Sequence, residues 1–273
     1  KDGGGHVGLF PMLIHGRLLV CTVCSLAVVI VIAIAASVPP MSCMGSAAAS
    51  EESCKSQSDA HAAPEPSKTG GDAHAAPEAS STGGRLSELT DPATYSALVY
   101  MPSTRSATAA LESTPTPLLL YLHGAGESGR NLRDLISEGA TGTPPVALEQ
   151  GAALPTLAEH FTMVAPQTAR GWRGEDISRF LDFLLSERSG LHLDSKRLYA
   201  TGHSMGGYGA LVAGATRRFA AVVPVAPSGR VDAEALAGVS VWAFHGRNDV
   251  VVPSRYSELL ISSLRRAGAA EEV

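Results

Sequence analysis

Apolar and polar positions along this chain fall into three regimes. From Leu18 to Ala36 every residue is apolar or small, and no charged residue occurs between Arg17 and Glu51. Nineteen residues rising about 1.5 Å each span roughly 28 Å, close to the hydrocarbon thickness of a bilayer. The apolar region of a secretory signal is only about 7–15 residues long. The run is therefore read as a transmembrane signal anchor over 18–38, with a cleaved signal peptide and secretion as the alternative. Lys1 and Arg17 precede it and Lys55 is the only nearby base after it, which places residues 1–17, the N-terminal flank, in the cytoplasm. The rest of the chain is then expected on the lumenal or extracellular side of a single-pass protein. Cys21 and Cys24 form a C-x-x-C inside this run, where buried Cys behaves as a small hydrophobe rather than as a redox or zinc pair.

Residues 39–84 are rich in Ala, Ser, Pro and Gly and lack large apolar side chains. They cannot bury enough surface to offset the entropy of ordering, so a disordered linker is expected. Within it Asp59–Gly71 repeats almost unchanged as Asp72–Gly84, a 13-residue polar unit too short and too few in copies for a solenoid. His61 and His74 recur in the repeat as solvated linker histidines.

From Arg85 onward apolar runs alternate with Gly and Pro punctuation. Thr94–Met101, Leu118–His123, Phe161–Ala165, Leu198–Thr201, Ala220–Val225 and Val239–Phe244 read as strands. Leu118–His123 is nearly continuously apolar, as a strand buried on both faces requires. Between them Asp176–Leu185, Gly206–Ala215 and Tyr256–Ala267 follow helical patterns, the first with Ile177, Phe180, Leu181, Leu184 and Leu185 on one face. Strands alternating with helices predict a mostly parallel α/β sheet with helices on both faces, over 85–273.

Charge and cysteine usage narrow the picture. With 21 Lys+Arg against 26 Asp+Glu in 273 residues the net charge is -5, so a nucleic-acid partner is not expected. All four Cys lie at or before Cys54, leaving the α/β region to core packing alone, without disulfides or a thiolate-held metal.

The candidate chemistry sits at strand ends. Gly202-His203-Ser204-Met205-Gly206 is a G-x-S-x-G sequence running directly from a strand into a helix, the context a nucleophile elbow requires. Gly at 202 and 206 removes the Cβ atoms that would collide where strand and helix approach; a glycine-rich turn without chemistry is the alternative. His123-Gly124-Ala125-Gly126-Glu127 follows Leu118–Leu122 and can point a backbone N–H at a developing oxyanion, with Met205 N–H as the second donor; an ordinary strand-end turn is the alternative. His123 itself reads as a loop-ordering residue rather than a base. Asp249 follows the strand Val241–His245 and its Gly246 turn. An acid there can orient a histidine, or can simply form the turn. No P-loop, dinucleotide fingerprint or metal-ligand set competes, and no cofactor is expected.

Five stretches, 118–131, 164–167 with Trp172, 194–210, 219–229 and 241–257, together resemble the α/β-hydrolase superfamily. The likeness is to its esterase and predicted-peptidase branch, related to carboxylesterases and polyhydroxybutyrate-depolymerase-like enzymes. The resemblance implies Ser204 as nucleophile, Asp249 as triad acid, and Ala125 and Met205 as the oxyanion-hole donors. It also implies Gly124, Trp172 and His203 around a pocket for a small-molecule ester, cleaved through an acyl-enzyme. The family order is Ser, acid, His, whereas all nine histidines here (His6, His15, His61, His74, His123, His160, His192, His203, His245) precede Asp249. The chain is therefore expected to lack the family's last strand and helix, with a strand and the catalytic histidine following Val273. The competing readings are a non-catalytic hydrolase-fold binding protein without that histidine, and a serine peptidase on the same fold.

Overall fold

The structure is a computed structural model that describes residues 7–12, for their backbone, together with 85–102 and 114–269. The proposed anchor over Leu18–Ala36 and the repeat-bearing linker lie outside the described residues. No described helix is long and apolar enough to cross a membrane.

The longest apolar runs become the centre of one sheet. Strand β4 (Thr116–Leu122) is buried at every position, and β6 (Leu193–His203) pairs with it in parallel, Leu118 opposite Leu198 and Leu122 opposite Gly202. β5 (Thr162–Gln167) flanks β4 on its other side, and β7 (Ala221–Val225) and β8 (Ser240–Gly246) continue beyond β6, all parallel. On the β5 side two antiparallel strands complete the sheet, β3 (Ser96–Tyr100) and the outer β2 (Leu86–Thr90). These seven strands are joined at the β8 edge by an eighth, β1 (Val7–Met12), so the order is β1-β8-β7-β6-β4-β5-β3-β2. Val7–Met12, within the N-terminal flank, pair in parallel with Val241–Gly246 at the β8 edge.

Alternation within the apolar runs builds two cores. Leu118, Leu120 and Leu122 face one layer with Phe180, Leu184, Leu211, Leu260 and Leu264. Those residues come from α3 (Gly174–Leu184), α4 (Met205–Ala215) and α5 (Arg255–Arg266). Leu119 and Tyr121 face the other layer with Leu135, Leu148 and Leu157, the last two from α1 (Pro144–Glu149) and α2 (Pro155–His160). A run with no visible alternation thus still obeys the two-residue period of a strand, because both faces are covered.

Helix ends follow their sequence signals. α5 stops at Gly268, whose φ of 88° is the left-handed conformation of a C-terminal cap. There Ala269 N–H bonds the Leu264 carbonyl (3.1 Å) and Gly268 N–H the Arg265 carbonyl (3.1 Å), a Schellman pair that closes the last turn.

Candidate active site

Because β4, β6, β7 and β8 are parallel, their carboxyl ends open on the same edge of the sheet, where α/β proteins place their sites. The segment 124–127 leaves β4, Ser204 leaves β6, and Asp249 lies three residues past the end of β8. β7 separates β6 from β8, so about 9–10 Å of ladder spacing lies between the serine and acid strands. That gap leaves room for an imidazole between a hydroxyl and a carboxylate.

Ser204 has φ 54° and ψ -117°, a region that L-residues rarely adopt. The turn is fixed on both sides of the residue. Ser204 N–H donates to the Val225 carbonyl at 2.9 Å, and the Ser204 carbonyl accepts from Tyr208 N–H and Ser228 N–H at 3.1 Å each. A Cβ at Gly202 or Gly206 would overlap the Leu122 carbonyl, so the elbow closes only with glycine at both positions. Met205 is the first residue of α4, where backbone N–H groups have no partner inside the helix.

The loop after β4 makes a short 3-10 turn over Ala125–Glu127, with Gly124 buried and Ala125 and Gly126 exposed. Its entry is held by His123, which is fully buried. The Nδ1 of His123 meets the Gly124 carbonyl at 2.6 Å and its Nε2 lies 3.0 Å from Thr168 N–H. The backbone amide can only donate, so Nε2 accepts and Nδ1 carries the proton. Burial pushes the His123 pKa down, against the smaller raising effects of the Gly124 carbonyl and Glu127. Trp172 is only 5% exposed, and its indole N–H donates to the His123 carbonyl at 3.1 Å. Its ring meets those of His123 and Tyr95 edge-on. Trp172 therefore braces the loop from the core.

His203, the residue before the nucleophile, turns its ring toward the same loop. Its Nδ1 is 3.2 Å from the Tyr121 hydroxyl and its Nε2 is 4.0 Å from Glu127 Oε1. Burial lowers the His203 pKa and Glu127 opposes that shift. Glu127 is 5% exposed, and its carbonyl accepts from Gln167 Nε2 at 2.8 Å. Glu127, Tyr121 and Gln167 were not singled out in the sequence as parts of the site; a Glu in a Gly-rich loop carries no mark of burial.

Asp249 Oδ1 accepts from Val251 N–H and Val252 N–H, both at 2.9 Å, which forms the turn. Its Oδ2 lies 3.8 Å from His245 Nε2. His245 is itself engaged, with Nδ1 2.8 Å from Ser257 Oγ and Nε2 2.8 Å from the Val252 carbonyl. Val250 and Val251, at the tip beside the acid, are strongly exposed and give this rim an apolar surface. His160 ends α2 and His192 precedes β6, both at the opposite end of the sheet. No group of His, Cys, Asp and Glu among the described residues could hold a metal.

The chain is similar to two solved structures of hydrolases. A thermostable esterase superposes with a TM-score of 0.55 at 25% identity, covering 70% of this chain and 53% of that one. The substrate-bound fluorophosphonate-binding serine hydrolase F of Staphylococcus aureus superposes with a TM-score of 0.50 at 16% identity, covering 69% of this chain and 89% of that one. This chain therefore spans about half the length of the thermostable esterase it matches. No family model and no curated protein matches the chain.

Proposed function

Starting from a chain that is an α/β-hydrolase superfamily member by its sheet and its structural neighbours, we propose that it is a serine hydrolase of carboxylic esters. The observation that carries the reading is Ser204, held at φ 54° on the strand-to-helix turn at the carboxyl edge of the sheet. Ser204 Oγ attacks the ester carbonyl carbon while a histidine takes the hydroxyl proton. The oxyanion is held by the N–H groups of Ala125 and Met205. The histidine then protonates the departing alcohol, leaving Ser204 acylated, and water releases the acid by the reverse sequence. Asp249 Oδ2 orients that histidine while Oδ1 keeps the turn. His123 and His245 use both ring nitrogens elsewhere, the His203 ring turns toward Tyr121 and Glu127, and His160 and His192 lie at the opposite end of the sheet, so none of the described histidines is the base in this proposal.

Fluorophosphonate labelling tests the assignment. The full-length enzyme is expected to label once and its Ser204→Ala variant to lose the label while keeping its fold; label persisting on Ser128 or Ser228 would place the nucleophile elsewhere. The apolar run Leu18–Ala36 supports the further proposal that the enzyme is held at a membrane, without a single crossing, because β1 before the run and β2–β8 after it belong to one sheet. Deleting 18–36 is then expected to move it from the membrane to the soluble fraction, and a wild-type chain already soluble sinks that part.

A further inference from the structure

Glu127 presents a problem that neither the fold nor the proposed chemistry absorbs. It is a buried carboxylate whose Oε2 has no hydrogen-bond partner, on the loop whose Ala125 N–H the proposed mechanism uses as an oxyanion donor. Burying an acceptor without a partner is costly, and a costly group kept beside a site calls for a role. The titratable group facing it is the His203 ring, on the segment that carries Ser204 and Met205, one residue before the first and two before the second.

Both groups converge on the bare Cα of Gly124. A Cβ built there would lie 2.6 Å from His203 Nε2 and 3.2 Å from Glu127 Oε2, so any side chain at 124 would enter between imidazole and carboxylate. At 4.0 Å the Nε2···Oε1 separation is an electrostatic contact rather than a hydrogen bond. The groups facing His203 are Glu127 from the loop, Tyr121 from β4, and His123 at longer range; Asp134 adjoins Glu127 only through the shared Gln167 amide. Tyr121 can donate to Nδ1, leaving the Nε2 proton directed at Glu127.

We propose that Glu127 is a positioning residue: its carboxylate pairs with the His203 imidazole across Gly124 and so holds Ala125 N–H in register with Met205 N–H. This rests on the serine-hydrolase reading. The two donors come from segments that follow different strands, β4 and β6, and the pair is the side-chain tie between them. Bonds at the Gly124, Ala125 and Glu127 carbonyls and from Gly129 N–H to the Thr168 carbonyl hold the loop to itself and to the segment around Gln167 and Thr168, whereas the pair ties it to the segment carrying Met205. Donors misplaced by a fraction of an ångström weaken the transition state more than the ground state. Losing the tie should therefore lower kcat and leave KM nearly unchanged.

The test uses the full-length enzyme in detergent micelles. Glu127→Gln keeps the volume and removes the charge. His203, followed by NMR in histidine-labelled protein, is expected to titrate at lower pH in Glu127→Gln than in wild type, because the group that opposed its desolvation is gone. In ester hydrolysis kcat is expected to fall about ten- to hundredfold at nearly constant KM, less than or comparable to removing a whole oxyanion donor. His203→Asn, whose side chain is more exposed than that of Glu127, should give the same kinetic pattern, and the double variant should be no worse than the poorer single one. An unshifted His203 titration overturns the pair. Unchanged kcat, or effects that multiply in the double variant, overturn the positioning role. If Glu127→Gln does not fold, kcat and KM of His203→Asn decide by the same criteria. A full-length enzyme that neither labels nor turns over esters sinks the serine-hydrolase reading instead, while the NMR titration still decides whether the pair exists.

Discussion

Ser204 is held by Val225: the serine amide donates to the Val225 carbonyl at 2.9 Å, tying the strained residue to the end of the neighbouring strand β7. The Ser204 carbonyl is bound in turn by Ser228, three residues further along. The end of β7 and the residues just after it therefore grip the elbow at both of its backbone groups, and this grip over-determines a backbone conformation that the residue would not choose alone.

That grip predicts a stability gain on relaxing the residue. A non-glycine residue in such a region costs about 1–3 kcal/mol, and glycine there returns about 0.5–1 kcal/mol of chain entropy to the unfolded state. Ser204→Gly is therefore expected to melt a few degrees above Ser204→Ala, both being inactive. A melting temperature equal to or below that of the alanine variant would show that the elbow is not strained.

Asp249 separates its two tasks by oxygen atom, and two substitutions separate them experimentally. Oδ1 accepts the Val251 and Val252 amides, whereas Oδ2 is left facing His245 Nε2 at 3.8 Å. Asp249→Asn can keep the acceptor and the turn, so it is expected to unfold within about 0.5 kcal/mol of wild type while turnover falls by several orders of magnitude. Asp249→Ala loses both bonds and should cost about 1 kcal/mol more in urea unfolding. Near-normal turnover in the asparagine variant would leave Asp249 as a turn-forming residue alone.

How far the sequence discloses this architecture depends on what each element buries. β4 and β7 were legible because both faces are covered, so nearly every position is apolar. β6 extends five residues upstream of its apolar run because Leu193 pairs with Thr116, a tertiary contact with no local signal. β2 was not anticipated: only Leu86 and Leu89 are half-buried, and its backbone is recruited by β3. α1 and α2 are six residues each and open on Pro144 and Pro155, which read as punctuation although proline suits a first helical turn. At the site, the elbow glycines and Ser204 were visible because backbone crowding dictates their identity. Glu127 was not, since its burial depends on how the β4 and β6 ends meet.

The last expectation is a loss of stability on mild acidification, traceable to His123. Its Nε2 accepts the Thr168 amide, so protonation would set a second N–H against that donor, and full burial removes the water that might solvate the charge. The folded-state pKa is accordingly depressed from 6.5, by burial first, and that of His203 is depressed from the same value for the same reason. A histidine depressed in the folded state binds fewer protons there than in the unfolded chain between the two pKa values. Unfolding then takes up protons, and its free energy rises with pH across that window. The stabilisation is complete above pH 6.5 and is lost progressively as pH falls below it, by up to about 1.4 kcal/mol per pH unit for each such histidine. Melting temperatures should thus be level from about pH 8 to 7 and decline toward about pH 5, before carboxylate protonation sets in. His123→Gln, with a side chain that can accept the Thr168 amide without titrating, is expected to show a shallower decline. A melting temperature that stays level or rises between pH 7 and 5 in the wild-type chain would mean that neither histidine is held neutral by the fold.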